Sequence, residues 1–455
     1  MINKIKSVLL LAALSLFSSA IINAENVGRY FPFSYRPEKD LYKRGTTADV
    51  DFFYASGRNI AQEDKAPLGM GEYAGNYDLR DIVFAMDQVN LPTGEIKQLV
   101  GEQLMKTSIP FNVHGKIRGG GGVLRYTWAL PSKLPLSIGA SLPIICVESD
   151  VRYSLNTQRF MQQYFALNQS IPVQPDFRLV EFYQERLDRA RRMAHETIGL
   201  TNNYWVGFGV GDLDFFVRSN LLLDHKFMMR SIDIAVQYGI QIPTSLRRAN
   251  NIVASIPFMN DGHWSLYAQI APTFELKQDL KCGLLFRGQH FAPHTRERQI
   301  PVFAEPFMYS PLIGSVRVQP GSTFLCNAFL AMENVYDGLH LQGRYTYKRH
   351  TKDTWEDKRS DKTLPSYLSR AVTDGAPGDI EVTKKMIEDV ISSKDYLSKF
   401  RSHYITIQLT YDPQEAGQNL PWMPKFFASF EAPMFDASRG VVQANQIRVG
   451  AELHF

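Results

Sequence analysis

Apolar and polar residues alternate along much of this chain in segments of about ten residues. Between 232 and 242, apolar residues such as Ile232, Ile234 and Val236 oppose the polar Asp233, Gln237 and Gln241. Such alternation places apolar side chains on one face of a strand and polar ones on the other. The clearest segments are 212–221, 232–242, 266–276, 339–347, 405–411 and the chain end, and weaker ones are 47–56, 78–90, 121–130, 134–147, 282–292, 323–333 and 424–433. These thirteen segments predict an all-β protein whose strands could cross a bilayer when tilted.

The chain ends on the same alternation, with an aromatic residue in the last position. This ending resembles the C-terminal assembly signal of bacterial outer-membrane proteins, which combines a polar residue, a glycine, a hydrophobe and a final aromatic. The four matching positions are Arg448, Gly450, Leu453 and Phe455. The resemblance implies a β-barrel in the bacterial outer membrane that meets the assembly machinery through its last strand. The alternative is a soluble β-domain whose last strand ends on Phe.

Connection lengths support a barrel because they alternate along the chain. Segments 223–227, 278–281 and 334–338 look like tight turns, whereas 148–203, 244–262, 293–322 and 350–401 are long. Counted back from the end, the short turns all fall on the periplasmic side, which a soluble sandwich has no reason to produce. Closure favours an even number of strands, so we predict a single antiparallel transmembrane barrel of about 12 to 14 strands, with 47–56 in doubt. Pro272 inside a strand predicts a β-bulge.

The remaining segments complete the predicted organisation. Residues 1–24 have the basic start, apolar core and small residues of a secretory signal peptide, and 25–46 form a lead-in or a plug before the barrel at 47–455. Apolar residues at helical spacing predict helical insertions at about 156–200 and 379–400. We expect these helices to cap the outer rim. Alternatively, one of them enters the lumen or contacts a partner.

Composition excludes several classes of function. The formal net charge of +4 falls to +2 when Lys4 and Lys6 leave with the signal peptide, so no strong field points to nucleic acid. Charged residues make up 21% of the chain, which suits a barrel with a wet interior. Three cysteines define no disulfide framework. No metal-ligand spacing, phosphate loop or Gly-x-Ser-x-Gly turn occurs, so we predict no metal, no cofactor and no catalytic residue, and we expect that the protein is not an enzyme.

Charged residues recur at the alternate positions that form the polar face of the predicted strands. In a barrel this face would line the lumen. These candidate lumen-lining or binding residues are Asp212, Asp214, Arg218, Asp233, Glu275, Arg287, Arg344, Arg448 and Glu452. Mixed charges of this kind pair across an interior wall. One interpretation is that they fill and stiffen the interior, and the other is that they line a route for permeation.

Two segments resemble a hairpin of the outer-membrane proteins related to FadL and to the MetA-like phenol-degradation family. Residues 207–213 supply a glycine-aspartate turn, and residues 236–244 supply a strand that ends in Pro-Thr. Ser245 follows where that family usually has glycine, and 91–94 repeat the Pro-Thr-Gly sequence after another strand. The resemblance implies passive uptake of small, mainly hydrophobic molecules by a monomer embedded in outer-membrane lipid. The alternative function is a structural or partner-binding surface barrel without transport.

Overall fold

The structure, a computed structural model, describes ten stretches of the chain. They are 46–60, 68–69, 77–131, 135–167, 177–224, 229–302, 305–358, 399–417, 423–434 and 442–454. The signal peptide at 1–24, nearly all of the lead-in at 25–46 and of the insertion at 379–400, and Phe455 lie outside the described residues. Those assignments therefore stay predictions.

Twelve of the described strands form one closed antiparallel barrel. Each strand pairs with the next along the chain, and the last pairs with the first from Thr47 opposite His454 to Ile60 opposite Val442, which closes the wall. The strands are β1 (Thr47–Ile60), β2 (Pro110–Ala129), β3 (Leu136–Leu155), β4 (Leu213–Asp224), β5 (Ser231–Ile242), β6 (Ser265–Lys277), β7 (Leu280–Phe291), β8 (Thr323–Tyr336), β9 (Leu339–His350), β10 (Phe400–Tyr411), β11 (Lys425–Pro433) and β12 (Val442–His454). The predicted all-β barrel is confirmed, with the lower of the two predicted strand counts.

Of the thirteen predicted strands, the one at 78–90 is wrong, because this segment is mainly helical. The segment 47–56, which was in doubt, is a strand and belongs to β1. Leu79–Gln88 forms a helix, α1, whose first turn is capped by the Asp78 carboxylate accepting from the Arg80 backbone N–H at 3.0 Å. Leu79, Ile82 and Met86 are buried, and their spacing of three and four residues is that of a helix face. The helical period and the cap outweigh the weak alternation.

The connections sort by length between the two ends of the barrel. Tight connections follow β2, β4, β6 and β8, and the described strands begin and end at this same end, which we call the turn end. The long connections after β1, β3, β5, β7 and β9 lie at the opposite end, the loop end. Two connections depart from the rule, because 412–424 at the turn end is longer than a tight turn and 434–441 at the loop end is short.

The outer face of the wall is apolar and the inner face is polar. Phe52 is 57% exposed and Ile447 is 54% exposed, whereas their neighbours Phe53 and Arg448 are 5% and 3% exposed. Many outward-facing Leu, Val, Ile, Phe, Tyr and Trp side chains are exposed in the same way. Leaving so much apolar area in water would cost about 25 cal/mol per Å², and lipid removes that cost. The chain is therefore a transmembrane β-barrel of the bacterial outer membrane.

The described residues outside the barrel wall gather mainly at the loop end. They form α1, α2 (Gly94–Val100), α3 (Thr157–Leu167), α4 (Phe177–Thr197), 3-10 turns at Leu104–Lys106 and Phe307–Tyr309, short strands at Leu68–Gly69, Tyr77–Asp78 and Tyr204–Val210, and a three-stranded sheet of His294–Gln299, Ile313–Gln319 and Thr354–Asp357. None of the described helices is long and apolar enough to span a membrane. The predicted insertion at 156–200 thus contains two helices.

A hydrophobic core joins these helices to the barrel, and we call this unit the cap. Leu187 and Ala190 of α4 belong to the same buried cluster as Val113 and Ile117 of β2 and Val147 of β3. Strands β2 and β3 are each 20 residues long, about twice what crossing a bilayer requires, so they project beyond the membrane at the loop end. The cap packs on the inner face of this projecting part.

The bulge predicted at Pro272 is wrong. The register from β5 runs continuously through Asp233 opposite Thr273 and Ile234 opposite Pro272. On the other side, the register between β6 and β7 is the same before and after Pro272. The pairing is interrupted only at residues 271 and 272. A missing N–H removes one donor without requiring an extra residue, so the wall tolerates the proline as a local gap in the hydrogen bonds.

Candidate functional site

The predicted lumen residues take two kinds of position. Eight of the nine lie on the inward face of barrel strands, and Asp212 lies just before β4. The inward ones are Asp214, Arg218, Asp233, Glu275, Arg287, Arg344, Arg448 and Glu452. Among them Asp214 is 1% exposed and Arg287 is 5% exposed, whereas Asp233, Glu275 and Arg344 are half-buried. The alternation along the sequence therefore identifies the polar face of the wall.

A chain of hydrogen bonds crosses the inner wall from β4 to β6. Tyr267 Oη donates to Asp214 Oδ2 at 3.1 Å, Gln237 Nε2 donates to Tyr267 Oη at 2.9 Å, and Arg218 Nε donates to Gln237 Oε1 at 3.2 Å. All four side chains are buried. Buried polar groups that satisfy one another hold the strands in register and fix the position of the arginine.

Two glycines allow aromatic rings to lie flat on the inner wall. Gly139, Phe216, Gly239 and Tyr267 stand side by side on β3 to β6. A Cβ on Gly139 would lie 2.3 Å from Phe216 Cζ, and a Cβ on Gly239 would lie 2.3 Å from Tyr267 Cζ. Any larger residue would push these rings into the lumen. The missing side chains therefore let both rings pack against the wall.

Arg287 reaches over this aromatic row from β7. Its Cζ lies 3.7 Å from the centroid of the Tyr267 ring, and Nη2 donates a weak 3.5 Å hydrogen bond to Gln289 Oε1. Nη1 is buried and has no hydrogen-bond partner among the described residues. A guanidinium fixed against an aromatic face holds a positive charge in the wall of the lumen.

The wall near the barrel seam carries a second charged group. Arg448 Nη1 lies 3.3 Å from Asp51 Oδ2 across the seam between β12 and β1, and Arg448 Nε donates to Gln446 Oε1 at 2.8 Å. Nearer the turn end, Glu452 stands opposite Asp49 across the seam, and its Oε1 lies 2.9 Å from His454 Nε2. Arg448 and Glu452, two residues of the predicted site, thus belong to the closure of the barrel as well as to its lumen.

A cavity of about 490 Å³ opens inside the turn end of the barrel. Its charged lining includes Asp233 and Glu275 from the predicted site. Glu275 accepts from Ser231 Oγ at 2.8 Å and lies 3.4 Å from Arg230 Nη1, and Lys281 Nζ lies 2.6 Å from Glu333 Oε2. This polar vestibule is where the lumen meets the space below the turn end.

Asp212 anchors a loop instead of lining the lumen. Its carboxylate accepts from the Asn260 N–H at 2.9 Å and from the Ser245 N–H at 3.2 Å. Nearby, Thr244 Oγ1 donates to the Gly211 carbonyl at 2.6 Å and accepts from the Leu213 N–H at 3.2 Å. The glycine-aspartate and proline-threonine segments that resemble the FadL-related hairpin therefore meet in space and fasten the 243–262 connection to the wall.

The wall is interrupted at this fastening. The strand Tyr204–Val210 pairs with β3 above β4, with Ile144 opposite Val210, whereas Ser141 lies opposite Asp214. One extra residue lies on the 204–224 side between these pairs, so the register shifts by one. Asp212 lies at this shift and is buried under the 243–262 connection, which the alternation alone could not show.

One group of side chains has the composition of a metal site. Ligand atoms of His340, Asp412 and Glu415 at the turn end lie within 4.8 Å of one another. His340 Nδ1, however, accepts from the Asn334 backbone N–H at 3.2 Å, so the neutral ring carries its proton on Nε2, which faces Glu415 at 3.5 Å. Asp412 is ion-paired with Lys425, which lowers the Asp412 pKa although burial opposes the shift. His340 Nδ1 and the Asp412 carboxylate thus already have protein partners.

Another group resembles a catalytic triad in its residue types. His350 Nδ1 lies 2.8 Å from Thr323 Oγ1, and His350 Nε2 lies 3.0 Å from Asp353 Oδ1. The His350 and Asp353 side chains are 0% exposed, and the His350 ring stacks on Phe400 at 5.1 Å. A general base must reach a substrate, so this arrangement supports a structural role in holding the end of β9.

The cap contains a buried aromatic cluster that the sequence did not indicate. His195 Nε2 lies 2.8 Å from Tyr77 Oη, and the His195 ring stacks on Tyr309 at 5.5 Å. Arg191 lies with Cζ 4.2 Å from the centroid of the Tyr153 ring. Burial, together with the Arg191 charge, lowers the pKa of His195 to about 3. The imidazole is therefore neutral in the folded cap.

Two buried cations of the inner wall are missing from the predicted site. Arg125 on β2 and Lys348 on β9 face the lumen and are 8% and 6% exposed. Arg125 follows a run of four glycines, 119–122, which weakens the alternation. Its neighbours Leu124 and Tyr126 are exposed on the outer face. The alternation of outward and inward positions within 123–128 could therefore have identified Arg125 as an inward residue.

Comparison with known proteins gives likenesses in fold only. No family model matches the chain, and no curated protein matches it. The COG4313 outer membrane channel from Pseudomonas putida F1 resembles it with a TM-score of 0.46 and 8% identity, over 92% of this chain and 99% of that one. The chain is also similar to a TodX monoaromatic hydrocarbon channel mutant, with a TM-score of 0.33 and 8% identity over 90% of each chain. It is similar as well to the CymD monoaromatic hydrocarbon channel, with a TM-score of 0.29 and 7% identity over 95% of this chain and 98% of that one. At such identities and TM-scores these likenesses say nothing about what this barrel carries.

Proposed function

We propose that this barrel is an outer-membrane channel for passive uptake of small, mainly hydrophobic molecules, and that it works as a monomer. The observation that carries the proposal is the polar inner wall, which leads to the 490 Å³ vestibule at the turn end. Solute would enter beside the cap and leave at the turn end, which we assign to the periplasm. The C-terminal strand would engage the assembly machinery.

The alternative function is a structural or partner-binding barrel without transport. The size of the cap favours it, because α1, α2 and α4 bury one continuous core at the loop end. A large ordered surface outside the membrane is a suitable platform for a partner. The two functions differ in whether solute crosses the lumen.

Uptake of an apolar fluorescent dye into intact cells that produce the barrel tests the proposal. Ala331 faces the vestibule, so Ala331→Trp should fill it and slow dye entry, whereas Ala428→Trp on the outer face of β11 is the matched control. We expect faster entry with the native barrel and with Ala428→Trp than with Ala331→Trp. Equal entry in all three strains and in cells without the barrel would support the alternative.

A further inference from the structure

We infer that the lumen selects small anions over cations of the same size. This inference rests on the proposed channel function and specifies the charge of the solutes. It comes from the distribution of the inward-facing charges along the barrel axis. The relevant charges are those of the described side chains on the twelve strands.

The middle of the wall is basic. We define the mid-wall as inward positions four or more residues from the turn-end limit of their strands. Its cations are Arg125, Arg218, Arg287, Arg344, Lys348 and Arg448. Its acids are Asp51, Asp214 and Glu431. Six cations against three acids leave an excess of three positive charges at this level.

The turn-end zone, which lies within three residues of that limit, is acidic. Its acids are Asp49, Asp233, Glu275, Glu333 and Glu452. Its cations are Lys281 and Lys425. Five acids against two lysines leave an excess of three negative charges, so the lumen as a whole is balanced but polarised along its axis. The two zones lie about 11 Å apart for tilted strands.

Of the six mid-wall cations, Arg344 is the one that is partly exposed to the lumen, and the other five are buried in the wall and act through their charge. Arg287 has its buried Nη1 without a hydrogen-bond partner among the described residues. Arg344 is half-buried and donates to Gln342 Oε1 at 3.4 Å. Arg287 lies over the Tyr267 ring, and Arg218 lies 5.3 Å from the centroid of the Phe216 ring. These contacts hold the two guanidinium charges at the level of the mid-wall.

Two consequences follow for permeation. In a narrow lumen with low-dielectric walls, excess charge raises the local concentration of the opposite ion. A mid-wall potential of about one kT would concentrate anions over cations by roughly sevenfold. The acidic vestibule then repels the anion after it passes the mid-wall, which favours release at the turn end.

Reversal potentials of the full chain in planar bilayers under a KCl gradient test the inference. We expect chloride to be about three to seven times as permeant as potassium. Potassium benzoate and benzylammonium chloride, whose organic ions are similar in size, should show the same preference for the anion. Conductance without anion preference would overturn this inference and leave the channel intact, whereas folded barrels without conductance would overturn the channel function itself.

Matched variants locate the effect. Arg344→Gln should lower the chloride preference by about a third to a half, because it removes one of the mid-wall positive charges. Arg287→Gln removes another such charge, from a more buried side chain, and should lower the preference in the same way. Arg349→Gln is the control, because Arg349 lies on the same strand as Arg344 but faces outward and is exposed. Heat-modifiable migration verifies that each variant is folded. An unchanged ratio in folded Arg344→Gln, or an equal fall in Arg349→Gln, would contradict the inference.

Discussion

Acidification should loosen the cap through the buried imidazole of His195. Burial and the Arg191 charge lower the His195 pKa to about 3 in the folded cap, whereas an unfolded cap would restore it to about 6.5. Between these values the unfolded cap binds a proton that the folded cap does not, so stability falls as pH falls below about 6.5 and is constant above it. From pH 7.5 to 5.5 the loss is about 1.4 kcal/mol, which raises the open fraction roughly tenfold.

Protease cleavage within α4 of the purified barrel measures this opening, and we expect it to be about tenfold faster at pH 5.5 after correction for protease activity. His195→Gln is the matched variant, because an amide can still bond to Tyr77 Oη but does not titrate. Burial raises the pKa values of Tyr77 and Tyr153, so neither phenol changes charge in this window. The same pH dependence in His195→Gln would refute the assignment to His195.

Three further predictions concern assembly and the wall. Gly239→Val should sharply reduce the yield of folded barrel because its Cβ would lie 2.3 Å from Tyr267, whereas Gly343→Ala, with open space around it, should fold normally; heat-modifiable migration compares them. Thiol counting on denatured, unreduced protein should find three free cysteines, because Cys282 and Cys326 are four register positions apart, about 14 Å, and a disulfide needs less than about 7 Å; a count of one would contradict this. Phe455→Asp should impair membrane insertion, and normal yield would show that the terminal signal is misassigned.

The barrel is predictable because its physical cause is local. A strand between lipid and a wet lumen must alternate, so β5 and β9 are visible in the sequence as apolar and polar residues in turn. The helix α1 shows where alternation misleads, because Leu79, Ile82 and Met86 satisfy a helical period in a segment short enough to be counted either way. The cap core is different. It joins residues from distant connections, and no local pattern records that they meet.

The inward charges were partly predictable for the same reason. Parity identifies which side chains face the lumen, and Arg218 and Arg448 follow from it directly. The alternation does not show which inward side chains contact each other. Asp51 lies next to Arg448 only because the first and last strands pair to close the barrel. Axial level also depends on the strand limits, so the separation of a basic mid-wall from an acidic turn end could be assigned only once those limits were known.

The resemblance to the FadL-related hairpin acquires a physical meaning at the break in the wall. At Gly211 a Cβ would lie 2.6 Å from Pro143 Cγ, and the Gly211 N–H donates to the Pro143 carbonyl at 2.7 Å, so a residue without a side chain is needed there. Thr244 then satisfies the Gly211 carbonyl and the Leu213 N–H at the break, and Asp212 accepts from the Asn260 N–H of the connection. The motif therefore encodes a way to end one strand and fasten a loop within a barrel, and it specifies no solute. Any barrel that needs such a break could use it, which separates the likeness in sequence from the question of what passes through the lumen.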